Sequence, residues 1–501
     1  MSLPITPPPV ATTFSLPLTS KKKTPRLDAY GKLLHRFCEV LFLLKGLGPI
    51  RGPHTRVPPP RNEAHGRQRD FFRNLALVCD GQKGGSTVTA IGLAKKDGKL
   101  CIYAAANDDS TAIDFLRLCV RFFSKFMAAD VQRQHTLQRM FIEMCVQHAT
   151  PRIQSYTTNL RNCLDACIDG ILAMKDVQYL PLVPWLRSIQ TNCRGGVKPL
   201  ATCIAMHKAT QQGLWNQLCA LADATLDKTS HFPRAKHNIG RLSSRIRAPH
   251  AMLASLQDFS GEFSALRVHI AVIAVPPMAA AKWPEPDSHT SLDGILGRMV
   301  GANFPRMDEV KARLLFLDMV YDREPLQAIL LHYTESEPFV HAEIRVLEHL
   351  DTLEVEFFNN DRYIYTSKPA CYCCRLYFEK FSKGIIVPES HFKIPKHWGF
   401  PKVEEFSKYD AASIEQRDLI NGMNKVMRTE ILQQIDGITI PAGWQTDSTT
   451  GVPSIVSLDT VSVFSDDLSP RFELGTYGTS IQLTEEFDDG QLTPRPLTPG
   501  P

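Results

Sequence analysis

His341 and Glu343 stand two residues apart in "HAEIRVLEHL", and Cys371, Cys373 and Cys374 follow in "SKPACYCC". Imidazole and thiolate are ligands that zinc accepts, and a zinc site that does chemistry has three protein ligands and one open position. His341, Cys371 and Cys374 can supply the three. The two residues between Cys371 and Cys374 let that pair close on one ion. Adjacent thiols such as Cys373 and Cys374 rarely share one, so Cys373 is assigned as a non-ligand. Two thiolates offset the charge of a dication, and water bound to such an ion ionises near neutral pH. Glu343 separates the two readings of this cluster. A structural clip has no use for a carboxylate beside its ligand, whereas a reaction that moves protons needs a general acid/base there. For the cysteines alone, the rival is a structural zinc clip completed by His391 or His397.

Such side chains need rigid elements to hold them. "HAEIRVLEHLDTL" is amphipathic, with Ile344, Leu347 and Leu350 on one face, so His341 starts a helix. "RYIYTS" reads as a strand, "CYCCRLYFEKF" begins another helix, and "GIIVP" reads as a further strand. Both ligand groups thus fall at helix N-termini, where exposed N–H groups favour thiolates. A long C-terminal helix or helix pair follows over "VEEFSKYDAASIEQRDLINGMNKVMRTEILQQI". Upstream, "RDFFRNLALVC" is helical, and "VTAIGLA" and "LCIYAAA" are strands joined by a tight turn at Asp97-Gly98. Residues 110–228 and 291–335 repeat apolar positions at helical spacing. "ALRVHIAVIAV" (265–275) fits a helix or a buried strand equally. "HFPRAKHNIGRLSSRIRAPH" (231–250) has five Lys/Arg and no acid, and is read as a solvated loop rather than a polyanion guide.

His341-x-Glu343 followed by Pro369-Ala370-Cys371-x-x-Cys374 resembles the zinc deaminase signature of the cytidine deaminase-like superfamily. The wording "HAE…DRYIYTSKPACYCC…ESH…W" is most similar to a lineage of predicted nucleic-acid or nucleotide deaminases common in fungal genomes and shared with some intracellular bacteria. The resemblance is specific around 336–400 and extends to the helix and hairpin of 67–108. It implies an α/β three-layer fold, a mixed sheet flanked by helices, with Zn2+ on His341, Cys371 and Cys374 and with Glu343 as the proton shuttle. It also implies a substrate side formed by Asn107, Pro369, Ala342 and Tyr365. Two departures stand out. Ala370 separates the proline from the first cysteine, and residues 109–335 intervene where compact deaminases have a short loop. That stretch is read as a large all-helical insertion, a place where a partner can dock.

Several neighbours have plainer readings. His349 belongs to a helix face, and Lys368, beside Ser367 at a strand end, is solvated. Asn107 either holds a substrate sugar or turns the chain at the end of a strand. Tyr365, His391 and Trp398 are set either to stack a base or to pack.

The bulk numbers limit the function classes. Apolar residues make up 43% and charged residues 22%, with a net charge of +5, which by itself argues for no nucleic-acid partner. No stretch reaches the apolar length of a membrane span, and "MSLPITPPPV" lacks the basic and apolar regions of a secretory signal. The 13 cysteines are an odd number, scattered through helical stretches, which predicts free buried thiols in a reducing, intracellular compartment, cytoplasmic or nuclear. Residues 1–66 and 437–501 read as disordered, apart from "YGKLLHRFCEVLFLLKGLG". "KKKTPR" is either a nuclear import signal or a solvated tail. The expected organisation is 1–66, 67–108, 109–335, 336–436 and 437–501. The expected partner is a nucleobase-containing substrate, a free nucleotide or single-stranded nucleic acid, with no membrane and with homo-oligomers possible.

Overall fold

The computed structural model describes residues 27–47 and 63–437, except 97–98, 109–110, 226–229, 259–269, 288–289, 302, 321–325, 332–334, 336, 382 and 408. Gly437 closes the last helix, whereas the rest of the stretch expected to be disordered, 438–501, and the "KKKTPR" reading lie outside the described residues. Helix α1 (Ala29–Gly46) and helix α2 (Glu63–Cys79) precede strands β1 (Thr89–Lys96) and β2 (Lys99–Ala106). Six helices follow: α3 (Thr111–Met127), α4 (Val131–His148), α5 (Thr150–Met174), α6 (Leu182–Asn192), α7 (Pro199–Ala209) and α8 (Gly213–Ala224). Then come α9 (His231–Asp258), β3 (Ala271–Ala274), α10 (Leu292–Val300), α11 (Met307–Val320) and α12 (Leu326–Leu331). The chain closes with α13 (Ala342–Thr352), β4 (Glu356–Phe357), β5 (Ile364–Thr366), α14 (Tyr372–Lys380) and α15 (Ala411–Gly437). None of these helices is long and apolar enough to cross a membrane.

The sheet is mixed. β1 and β2 pair antiparallel in a register that joins Lys96 to Lys99, and the two turn residues Asp97 and Gly98 lie outside the described residues. β4 and β5 both pair antiparallel with β1, the first near its end and the second near its start. They form one edge interrupted by a 3-10 turn at Phe358–Asn360, where Asn359 and Asn360 take positive φ.

Strand alternation sends side chains to opposite faces. Ala90, Ala94, Cys101, Tyr103, Ala105 and Ile364 join a core with α1, α13, α14 and α15. Ile91, Leu93, Leu100, Ile102, Ala104, Tyr363 and Tyr365 join another with α2, α3, α4 and α9. Helices therefore cover both faces of the sheet. Of the metal-ligand candidates, Cys371 and Cys374 belong to the first core.

Gly92 on β1 brings α13 close. A Cβ there would stand 2.5 Å from Leu350 Cδ1 and 2.8 Å from Val346 Cγ1. Only glycine lets this helix lie so near the strand.

Three expectations need correction. The 265–275 stretch supplies β3, which pairs parallel with β2, so residues 109–335 are not all-helical. Periodicity was silent because a four-residue apolar run fits either state; the open edge of β2 decides it. Residues 231–250 are no loop. They form most of α9, whose Phe232, Ala235, Ile239, Leu242 and Ile246 are buried. Its arginines go inward. Arg245 is 4% exposed and donates to the carbonyls of Leu77 and Asp80 at the end of α2. Those are carbonyls that a helix end leaves without internal partners. Lastly, "GIIVP" forms no strand. Its neighbour Ser390 makes a single bridge to Ala370 instead.

The cysteines follow expectation. All 13 are free, and all but Cys219 are buried.

Candidate metal centre

Two helix starts converge on one point. His341 is the N-cap of α13 and Cys371 is the N-cap of α14. The Cys371 sulphur accepts the backbone N–H of Cys374 at 3.4 Å, as capping groups do. His341 Nδ1 lies 3.7 Å from Cys371 Sγ and 3.4 Å from Cys374 Sγ. The three ligand atoms gather within 4.8 Å of one another, all on buried residues, so the trio could hold a metal ion. Cys373, although buried, is not in the group, and neither is His391 or His397. His397 instead faces the ring of Phe339 at 6.4 Å. No fourth protein ligand joins the cluster among the described residues.

Glu343 sits in the first turn of α13, 4% exposed. Its Oε1 is 3.9 Å from His341 Nδ1, and its Oε2 has no hydrogen-bond partner. A buried carboxylate oxygen left unpaired is costly and calls for a functional explanation. Burial pushes the Glu343 carboxyl above its usual range, with His341 opposing the shift. Burial pulls the His341 imidazole down, but Cys371 and Glu343 outweigh it and the net direction is up.

The surroundings hold the helix starts in place. Arg345, one turn into α13, is buried and donates to the carbonyls of Ala106, Val275 and Pro276. It locks the first turn of α13 to the ends of β2 and β3. Asn107 accepts the N–H of Ala342 at 2.8 Å and donates to the carbonyl of Gly85 at 2.8 Å. Both ends of its amide are thus taken by backbone, so here it positions α13 against the loop of residues 81–88. Lys368 is not simply solvated. Its ammonium donates to the carbonyl of Gly84 and stands 3.9 Å from the buried Asp80 carboxylate, which also accepts from Ser367 and Thr87. Pro369 is buried behind Cys371, lining a small cleft with Arg73, Tyr363 and Glu389.

Tyr365 is a misplacement. It is fully buried on the far face of the sheet, its hydroxyl donating to Asp361 and accepting from Gln68. Its ring lies 5.4 Å from Phe72. It packs the second core and cannot reach the metal-ligand trio. Trp398 does not stack a base either. It is 0% exposed, and its indole N–H points at Cys374 Sγ, 3.1 Å away. Sequence reading missed this role because a tryptophan in a loop carries no sign of its N–H partner. Groups that hydrogen-bond metal ligands fix their orientation and tune the site. Trp398→Phe is expected to weaken metal retention by about tenfold to a hundredfold. Competition with a chromophoric chelator reads this directly, and equal retention in the two proteins would make the N–H contact incidental.

Residues 340–402 match the family model of the OTT_1508_deam-like deaminases. Over that segment the chain is deaminase-like, in keeping with the cytidine deaminase-like superfamily. No curated protein and no solved structure matched the chain.

Proposed function

We propose that the protein is a zinc-dependent hydrolytic deaminase acting on a nucleobase. The observation that carries this reading is the unpartnered, buried Oε2 of Glu343 beside a buried His/Cys/Cys trio. The donor set suits zinc. Sulphur at about 2.3 Å and nitrogen at about 2.0 Å from one tetrahedral ion stand about 3.5 Å apart, and the two separations here are 3.7 and 3.4 Å. With three protein ligands, the fourth position stays open to solvent or substrate. Zinc bound there would supply a water that ionises near neutral pH.

The chain's own work is proton handling. Glu343 accepts a proton from the attacking water and passes it to the ring nitrogen of the base, then takes the proton of the hydroxyl added to the ring carbon and delivers it to the departing amine as that carbon becomes C=O. The balance is one water in, one ammonia out, and C–NH2 replaced by C=O. Its burial beside the ligand trio suits a group that must hold the proton between these steps, away from bulk water. Arg345 and Asn107 keep Glu343 and His341 in register with Cys371 and Cys374.

Helices on both faces of the sheet support a three-layer deaminase arrangement. We read the helices between β2 and β3 as an insertion whose α3, α4 and α9 cover the second face. The test is ammonia release from a panel of nucleosides, nucleotides and single-stranded DNA and RNA, with zinc content measured alongside. Release that depends on bound zinc supports the reading. Zinc-loaded protein inert toward the whole panel would overturn it.

A further inference from the structure

Residues 390–401, "SHFKIPKHWGFP", contain two lysines, two histidines and three aromatic residues, and no acid. The segment wraps the metal centre. At one end it is tied next to Cys371, where His391 N–H donates to Ala370 and Tyr372 N–H donates to the Lys393 carbonyl. At the other it pairs with the approach to His341, where Phe339 N–H donates to the His397 carbonyl and Gly399 N–H to Phe339. Its side chains divide by exposure. Trp398 and Phe400 are buried, whereas Lys396 and His397 are exposed.

On the open side, Phe339 is half-buried with its ring 5.1 Å from that of His341. The His397 ring faces it at 6.4 Å, tilted by 28°. A solvent-facing aromatic pair therefore begins at the metal ligand itself and leads outward. Lys45, half-buried at the end of α1, lies near Lys396. Burial and the neighbouring Lys396 charge pull its ammonium down to about 8. Neither lysine forms an ion pair with a carboxylate among the described residues, and the Lys45 ammonium stands 5.5 Å over the Phe42 ring. Lys396, next to the exposed His397, and Lys45 near it supply two cations without a paired carboxylate beside one exposed and one half-buried ring, which matches the requirements of a base and its phosphate.

We propose that this rim binds single-stranded nucleic acid, with Phe339 and His397 stacking a base next to the one at the metal centre and Lys45 and Lys396 meeting the phosphate. The inference rests on the deaminase reading for the identity of the base at the metal, but strand binding itself does not require turnover. Duplex should bind poorly, because its bases are not free to stack on the rings.

The experiment uses fluorescein-labelled 15-nucleotide single-stranded DNA and RNA of mixed sequence, with the matching duplexes, and reads binding by anisotropy. The protein carries Glu343→Gln, so that no turnover intervenes. Single strands are expected to bind with affinity that falls as salt rises. Lys45→Gln with Lys396→Gln should reduce the slope of log affinity against log salt by about 1.4, the value for two phosphate contacts on a single strand. His397→Ala should weaken binding about fivefold or more, as removal of a stacking ring does. Phe339→Leu gives the same reading with the apolar bulk kept, and unchanged zinc content shows that the fold persists. Overturning results are equal binding of strand and duplex, or strand binding unaltered in the double-lysine and His397→Ala proteins. Ammonia release from free nucleosides without strand binding would overturn the inference and leave the deaminase reading standing. Strand binding with no release from any substrate would do the reverse.

Discussion

Glu343→Gln is expected to cut ammonia release by at least about a thousandfold while leaving zinc in place, since general acid/base groups contribute two to four powers of ten and in the proposed reaction this carboxylate serves every proton transfer. Retention of zinc follows from geometry. The ligand trio closes within 4.8 Å without the carboxylate. Glutamine keeps the shape of the side chain, so α13 should not shift. Stability should change little, because glutamine keeps the buried side chain's shape and volume. Steady-state ammonia release, zinc content and thermal melting on one preparation check all three. Activity within tenfold of the parent would remove Glu343 from the chemistry.

Cys371→Ser is expected to empty the site and destabilise the protein together. Cys371 is both a candidate metal ligand and the N-cap of α14, and its sulphur takes the Cys374 N–H. Serine can still cap, so the helix start survives and the loss reports mainly on the metal. A ligand present at a thousandfold over its dissociation constant stabilises the folded state by about 4 kcal/mol, which lowers Tm by about 5 °C in a unit of several hundred residues when it is lost. The same drop should appear when the parent protein is stripped by a chelator, and the variant should show no further drop. A variant that retains zinc at full stoichiometry would mean that Cys373 or another group is the ligand.

The convergence of His341, Cys371 and Cys374 was legible because residue type and spacing carry the ligand chemistry directly, and both helix starts followed from the apolar pattern. Tyr365 was misread for a reason the strand itself supplies. Ile364 and Tyr365 are adjacent and point to opposite cores, and nothing in "RYIYTS" says which face holds the metal. Helix α9 was hidden by its arginines. Arg241 and Arg245 are buried, and a sequence rule that sends guanidinium groups to solvent cannot foresee that the end of α2 offers carbonyls to receive one. β3 was undecidable because its partner, β2, is far away in sequence. The 390–401 rim has no period to detect. It is held by single bridges to Ala280, Phe339 and Ala370 rather than by a ladder. The unpartnered oxygen of Glu343 depends on burial, which only the folded chain reveals.

The central claim is a metal centre with three protein ligands and an open fourth place. Zinc X-ray absorption on the purified full chain, with metal stoichiometry, tests it most directly. The expected result is one zinc per chain with two sulphurs at about 2.3 Å, one imidazole, and one light atom that no side chain supplies. A third sulphur, a second imidazole filling the fourth place, or a chain that binds no zinc would contradict it.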